Sequence, residues 1–161
     1  MEEAATLAAS GSYKNSGQRC TAVKRMLVHE NIADRFVELL LEKTRALKHG
    51  DPFDAAMDMG TVIDEPAAKR FEAVVNDAVA QGAKLLAGNL RRGALYSPTV
   101  LDHVRPEMTV VREETFGPVS PVIRFKDLDE AIAIANGTAY GLSSSLCTNR
   151  LDVIKIGRAH V

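Results

Sequence analysis

The sequence predicts an α/β fold, a parallel-type sheet with flanking helices, and three observations carry that expectation. Short apolar runs alternate with amphipathic helical stretches; the helical stretches carry readable start and stop residues; and the order strand, helix, strand recurs along the chain. Glu2 to Ala9 are strong helix formers leading toward Gly11. Lys24 to His29 is apolar at its centre and reads as a strand. Asn31 is then placed to cap a helix, with Asp34 at the capping-box position and Ile32, Phe36, Leu39, Leu40 and Leu47 near one face. The run His49-Gly50-Asp51-Pro52 should end it. A second helix starts after Asp64, carries Phe71, Val74, Val75, Ala78 and Val79 as its stripe, and stops at Gly82, ahead of a strand at Ala83 to Ala87. A third unit has a strand at Val119 to Phe125, a helix capped by Asp127 with Glu130 three residues on, Gly137, and a strand at Leu142 to Thr148.

At 161 residues the chain is long enough for one domain with a real core. Apolar residues make up 46%, charged residues 25%, and the formal net charge is -1, so bulk electrostatics point to neither nucleic acid nor a membrane surface. No apolar run approaches the roughly 20 residues of a bilayer span. The acidic start MEEAATLAAS lacks the positive region of a signal peptide, so a cytoplasmic location is expected. Cys20 and Cys147 lie far apart without a C-x-x-C pattern, which argues against a zinc ribbon or a disulfide framework. The four histidines show no metal spacing, so no metal site is expected.

Chemistry enters at Tyr13 to Arg25, YKNSGQRCTAVKR. A cysteine in such a chain is ordinarily a small buried hydrophobe. Three neighbours of Cys20 favour a nucleophile: Gly17 permits a loop that presents the thiol, Arg19 puts a fixed positive charge beside the sulfur, and the flanking helix and strand supply a rigid base. Cys147, in an apolar run, reads as core.

The run N-S-G-Q-R-C resembles the cysteine signature of the aldehyde dehydrogenase superfamily. A second signature follows at Glu113 to Pro118, EETFGP, and a third at Asn136, NGTAYGLSSSLCT, in the family's order. The resemblance covers residues 1–155, and on it Cys20 is the catalytic nucleophile. It implies attack of the thiolate on an aldehyde to give a thiohemiacetal, hydride transfer to NAD or NADP, and hydrolysis of the resulting thioester through a glutamate general base. By the same resemblance Glu114 and Phe116 are cofactor-binding, touching the ribose and the ring of the nicotinamide; simple core packing is the alternative for Phe116. Glu113 is read as structural, Asn15 and Gln18 as shaping the loop.

Arg19 and Thr21 are the expected substrate-binding pair, because a guanidinium next to the nucleophile suits a phosphonate, phosphate or carboxylate on the aldehyde. A surface or interface salt bridge is the alternative for Arg19, and Lys24 and Arg25 are read as solvated or paired with a neighbouring element. Within the superfamily the run GSYKNSGQRCTAVKRMLVHE is similar to phosphonoacetaldehyde dehydrogenases above all, then to non-phosphorylating glyceraldehyde-3-phosphate dehydrogenases. A small anionic aldehyde is the expected partner, within phosphonate catabolism, and a homo-oligomer is expected of the whole enzyme.

The resemblance also implies that residues 1–155 are part of a catalytic domain, incomplete at both ends, without the Rossmann domain, the general base, the oxyanion asparagine or the C-terminal segment. Alone, the chain should therefore turn over no aldehyde. Residues 156–161, IGRAHV, resemble the translation of a sequencing adapter and are expected to be a non-native tail. A non-catalytic thiol-reactive or binding module that reuses the fold is the reading of another class.

Overall fold

The computed structural model describes residues 1–150 and Val153. In chain order the elements are α1 (Glu2–Tyr13), β1 (Met26–His29), α2 (Glu30–Ala46), α3 (Glu65–Ala80), β2 (Lys84–Ala87), a short hairpin of β3 (Arg91–Arg92) and β4 (Leu95–Tyr96), β5 (Thr99–Asp102), α4 (Thr109–Arg112), β6 (Val119–Phe125) and α5 (Leu128–Asn136). The main sheet has the order β1-β6-β5-β2. The β1–β6 and β5–β6 pairings are parallel, with Met26 opposite Val122 and Thr99 opposite Val119. The expected parallel sheet needs one correction: β2 runs antiparallel to β5, with Lys84 opposite Asp102. The hairpin and β5 escaped the sequence reading.

Because successive side chains of a strand point to opposite faces, the central strands feed two cores. Val100 and Val122 pack with Ala5, Ala9, Tyr13, Phe36 and Leu40 of α1 and α2. Their neighbours Leu101 and Ile123 pack on the other face with Phe71 and Val75 of α3 and with Tyr96 and Met108. Both faces are covered, which is why Val119 to Ile123 of β6 is buried throughout.

The helix ends show where local signals were decisive. Asp64 accepts from the Ala67 N–H at 2.7 Å, with Pro66 in the first turn, and Asp127 accepts from the Glu130 N–H at 2.9 Å. The start of α2 differs from expectation: His29, not Asn31, is the N-cap, and its Nδ1 accepts from the Asn31 N–H at 3.2 Å. β1 passes into α2 without a turn, so the last strand residue does the capping. The buried face of α2 is rotated accordingly, to Ala33, Phe36, Val37, Leu39, Leu40 and Thr44, leaving Ile32 exposed. That helix also ends earlier, at Ala46, with Leu47 already extended.

Leu142 to Thr148 is not a strand; it is irregular and almost wholly exposed, Cys147 included. A strand needs a partner for its N–H and C=O groups, and none of the described residues pairs with it. The expected tail at 156–161 lies outside the described residues.

Candidate functional site

The loop that carries Cys20 is built by a left-handed turn. Asn15, Ser16 and Gly17 have φ of 55°, 54° and 70°, an unusual run that kinks the chain out of α1. Such a turn persists only where its surroundings over-determine it, and here they do. The Asn15 amide donates to the Gln18 carbonyl at 3.1 Å. The Ser16 hydroxyl lies 3.1 and 3.2 Å from the Gly60 and Thr61 carbonyl oxygens. The Gln18 side-chain oxygen accepts from the Ile63 N–H at 2.8 Å. On the far side the Val23 N–H returns to the Gly11 carbonyl at 3.2 Å, and the Ser12 hydroxyl donates to the Val23 carbonyl at 3.1 Å. Beneath, the Tyr13 hydroxyl donates to the Thr99 carbonyl of β5, and burial pushes its phenol up to about 12. Cys20 sits at the exposed tip with Thr21 exposed beside it.

Gly17 and Gly117 bring this loop against the second signature. A Cβ on Gly17 would lie 2.3 Å from the Gly117 carbonyl oxygen, and one on Gly117 would lie 2.6 Å from the Phe71 ring. Only glycine at both positions lets the two backbones meet over α3. Glu114 and Phe116 are exposed on that second loop. Phe116 is 40% exposed and holds φ of 54°, so its ring is presented rather than packed into the core. A cavity of about 200 Å³ borders the loop, lined by Arg70, Phe71, Val74, Thr109, Glu113, Glu114 and Thr115.

The third signature joins through side chains. The Tyr140 hydroxyl donates to the Glu113 carboxylate at 3.1 Å. Arg25 donates to the Ile134 and Ala135 carbonyls at 3.0 and 3.2 Å, at the end of α5, where the Ile134 carbonyl also accepts from the Gly137 N–H. Lys24 donates to the Gly17 carbonyl at 3.1 Å and lies 4.2 Å from the centre of the Phe116 ring. Burial lowers the Lys24 pKa from its ordinary value; the charges of Glu114 and Cys20 oppose that fall, and Arg19 adds to it. Lys24 and Arg25, expected to be solvated or paired with a neighbouring element, are both paired. The signal was in the run TAVKR: in extended chain adjacent side chains diverge, so two adjacent cations reach two different neighbours.

Arg19 is half-buried and folds back toward α1, with Nη2 at a long 3.5 Å from the Gly11 carbonyl and Nε buried without a partner. Among the described residues it makes no salt bridge, and no group of three or more His, Cys, Asp or Glu side chains is arranged to hold a metal ion. No helix of the described residues is long and apolar enough to cross a membrane.

The fold thus brings a tied loop with an exposed thiol against a loop with an exposed aromatic ring and carboxylate, through the contact of Gly17 with Gly117, within an α/β domain. The chain belongs to the aldehyde dehydrogenase family, whose sequence profile matches residues 1–158. It is 39% identical over 155 residues to the sulfoacetaldehyde dehydrogenase of Neptuniibacter caesariensis, covering 96% of this chain and 34% of that protein. It is 42% identical over 152 residues to the 3-sulfolactaldehyde dehydrogenase of Priestia aryabhattai, covering 94% and 32%. The NADP-dependent glyceraldehyde-3-phosphate dehydrogenase from Bacillus halodurans C-125, solved with NADP, superposes with a TM-score of 0.90 at 45% identity, covering 94% of this chain and 32% of that one. The chain thus spans about a third of the length of these relatives. The two curated relatives are named for sulfonate-bearing aldehydes, where the sequence resemblance pointed to phosphonoacetaldehyde.

Proposed function

We propose that this chain is the nucleophile-bearing part of an NAD(P)-dependent dehydrogenase of small anionic aldehydes. The observation that carries it is the glycine-to-glycine approach of Gly17 and Gly117, which sets the Cys20 loop against the loop of Glu114 and Phe116. Cys20 is the nucleophile: its thiolate adds to the aldehyde carbon, and the tetrahedral adduct collapses to a thioester that water releases as the acid. The dinucleotide, when bound, accepts the hydride. Glu114, an exposed carboxylate, and the presented ring of Phe116 suit ribose hydroxyls and a flat heterocycle, and the adjoining cavity adds Arg70. Arg19 and Thr21 take the anionic end of the substrate. The long Arg19–Gly11 contact holds the guanidinium only weakly, so its outer nitrogens are free to turn to an incoming oxyanion.

The substrate is a two- or three-carbon aldehyde with a tetrahedral oxyanion. Phosphonoacetaldehyde and sulfoacetaldehyde share that shape, and the names of the relatives add the sulfonate. A second reading, glyceraldehyde-3-phosphate, draws on the likeness to the Bacillus halodurans enzyme.

The test takes the reading frame that encodes this chain, as far as it stays open, and follows NADH or NADPH formation. Phosphonoacetaldehyde, sulfoacetaldehyde, glyceraldehyde-3-phosphate and an uncharged aldehyde of similar size are compared, each with Cys20→Ala. Preference for a C2 oxyanion aldehyde, abolished in Cys20→Ala and weakened in Arg19→Ala, is the expected result. Equal rates on the uncharged aldehyde would remove Arg19 from substrate choice, and no turnover on any of them would leave a binding module.

A further inference from the structure

We infer that Lys24 is a positioning residue: one ammonium ties the Cys20 loop shut and fixes its spacing to the Phe116 ring. The inference rests on the reading above, in which Cys20 and Phe116 act together.

Lys24 lies just ahead of β1, and its side chain returns to the Gly17 carbonyl, so residues 17–24 form a closed loop with Cys20 at the far end. The same Nζ stands 4.2 Å from the Phe116 ring centre, within cation–π range. Holding a lysine half-buried disfavours its charge, and the carbonyl, the ring face and the nearby Glu114 are what offset that cost. Phe116 in turn sits in the left-handed region, which persists only where its surroundings hold it, and Lys24 supplies one contact on its ring. The glycine contact brings the backbones together; Lys24 acts on the side chains those backbones carry. Arg25, next along, binds α5 instead and cannot replace it.

The experiment is hydrogen exchange by mass spectrometry on the 161-residue chain, with Lys24→Met, Lys24→Arg and Phe116→Leu. Lys24→Met, which keeps length and loses charge, should speed exchange about tenfold in peptides spanning residues 14–25 and 113–118 together, while α2 and β6 stay protected. Lys24→Arg should restore both, because it keeps the cation and the donors. Phe116→Leu, which leaves the fold's interior alone, should loosen residues 14–25 as well, since coupling between two sites is reciprocal. A Lys24→Met chain that loosens only its own loop, or a Lys24→Arg chain as loose as Lys24→Met, overturns the inference. Because exchange requires neither aldehyde nor dinucleotide, a failure here is separable from a failure of the proposed activity.

Discussion

The two cysteines of this chain are both exposed, and almost nothing else about their surroundings is alike. Cys20 stands on a loop whose backbone is fixed by a left-handed turn, by the Ser16 and Gln18 anchors and by Lys24. Cys147 stands on an irregular stretch where Tyr140, Leu142 and Leu146 are themselves exposed. Accessibility therefore does not set the two thiols apart. What separates them is how much of the fold is committed to holding the atom in place, which is the condition for orienting a reacting group.

The largest effect that would sharpen this contrast is on turnover. In the reading frame that encodes this chain, Cys20→Ala should lower the aldehyde-dependent rate by on the order of 10³-fold or more, since the proposed acyl intermediate forms on its sulfur. Cys147→Ala should stay within about twofold. Comparable losses would erase the distinction.

Next in size is backbone strain. Gly17→Ala meets the Gly117 carbonyl at 2.3 Å and must hold φ of +70°, and should destabilise the chain by about 3 kcal/mol. Gly141→Ala, on the Cys147 side, meets nothing within 4 Å and should change stability by less than about 0.5 kcal/mol. Denaturant titrations of the two variants side by side measure the difference; equal midpoints would mean the Cys20 turn is not held as described.

A smaller effect follows from pH. Asp102, buried at the end of β5, accepts two hydrogen bonds from Arg124 of β6 at 3.1 and 2.7 Å, and Arg124 also pairs with Asp34 of α2. Burial raises the Asp102 carboxyl, but Arg124 and the His103 N–H outweigh that and hold it below the usual carboxylate range. A lowered folded-state pKa contributes stability that is present above the unfolded value, near 4, and lost as pH falls through the folded value. The sheet under Cys20 should thus weaken below about pH 4, and Asp102→Asn should remove that dependence at a cost of about 2 kcal/mol at neutral pH. Stability curves of the two proteins across that range decide it.

Much of this architecture is legible in the residues because short-range physics decides it. The Asp64 and Asp127 caps are contacts over three residues, and the α3 stripe through Phe71 and Val75 and the run Val119 to Phe125 are local patterns that show before their distant partners are known. The misplaced features depend on distant partners. Whether Leu142 to Thr148 is a strand depends on an edge to pair with, and whether β2 runs parallel depends on β5. The motifs exposed Cys20, Glu114 and Phe116 as candidates because their spacing resembles a family pattern. For Lys24 only some pairing with a neighbouring element was legible, because the Phe116 ring that joins the Gly17 carbonyl at its ammonium is distant in sequence.

The smallest effect tests whether the two regions are independent. Asp127 caps α5 through the Glu130 N–H, and Glu130 accepts from the Lys126 N–H at 2.7 Å, so this helix start is held by two side chains. The other end of α5 takes Arg25 and leads into the Cys147 stretch. Removing the cap with Asp127→Ala should cost about 1 kcal/mol, or about a fivefold rise in hydrogen exchange along 128–136. Because Arg25 touches only the last carbonyls of α5, while the Cys20 loop is anchored by Gly11, Gly60, Thr61 and Ile63, the fraying should not travel back to residues 14–23. If exchange rises equally in both places, the Cys20 loop is held through α5 and Arg25, and the anchors around Ser16 and Gln18 are secondary.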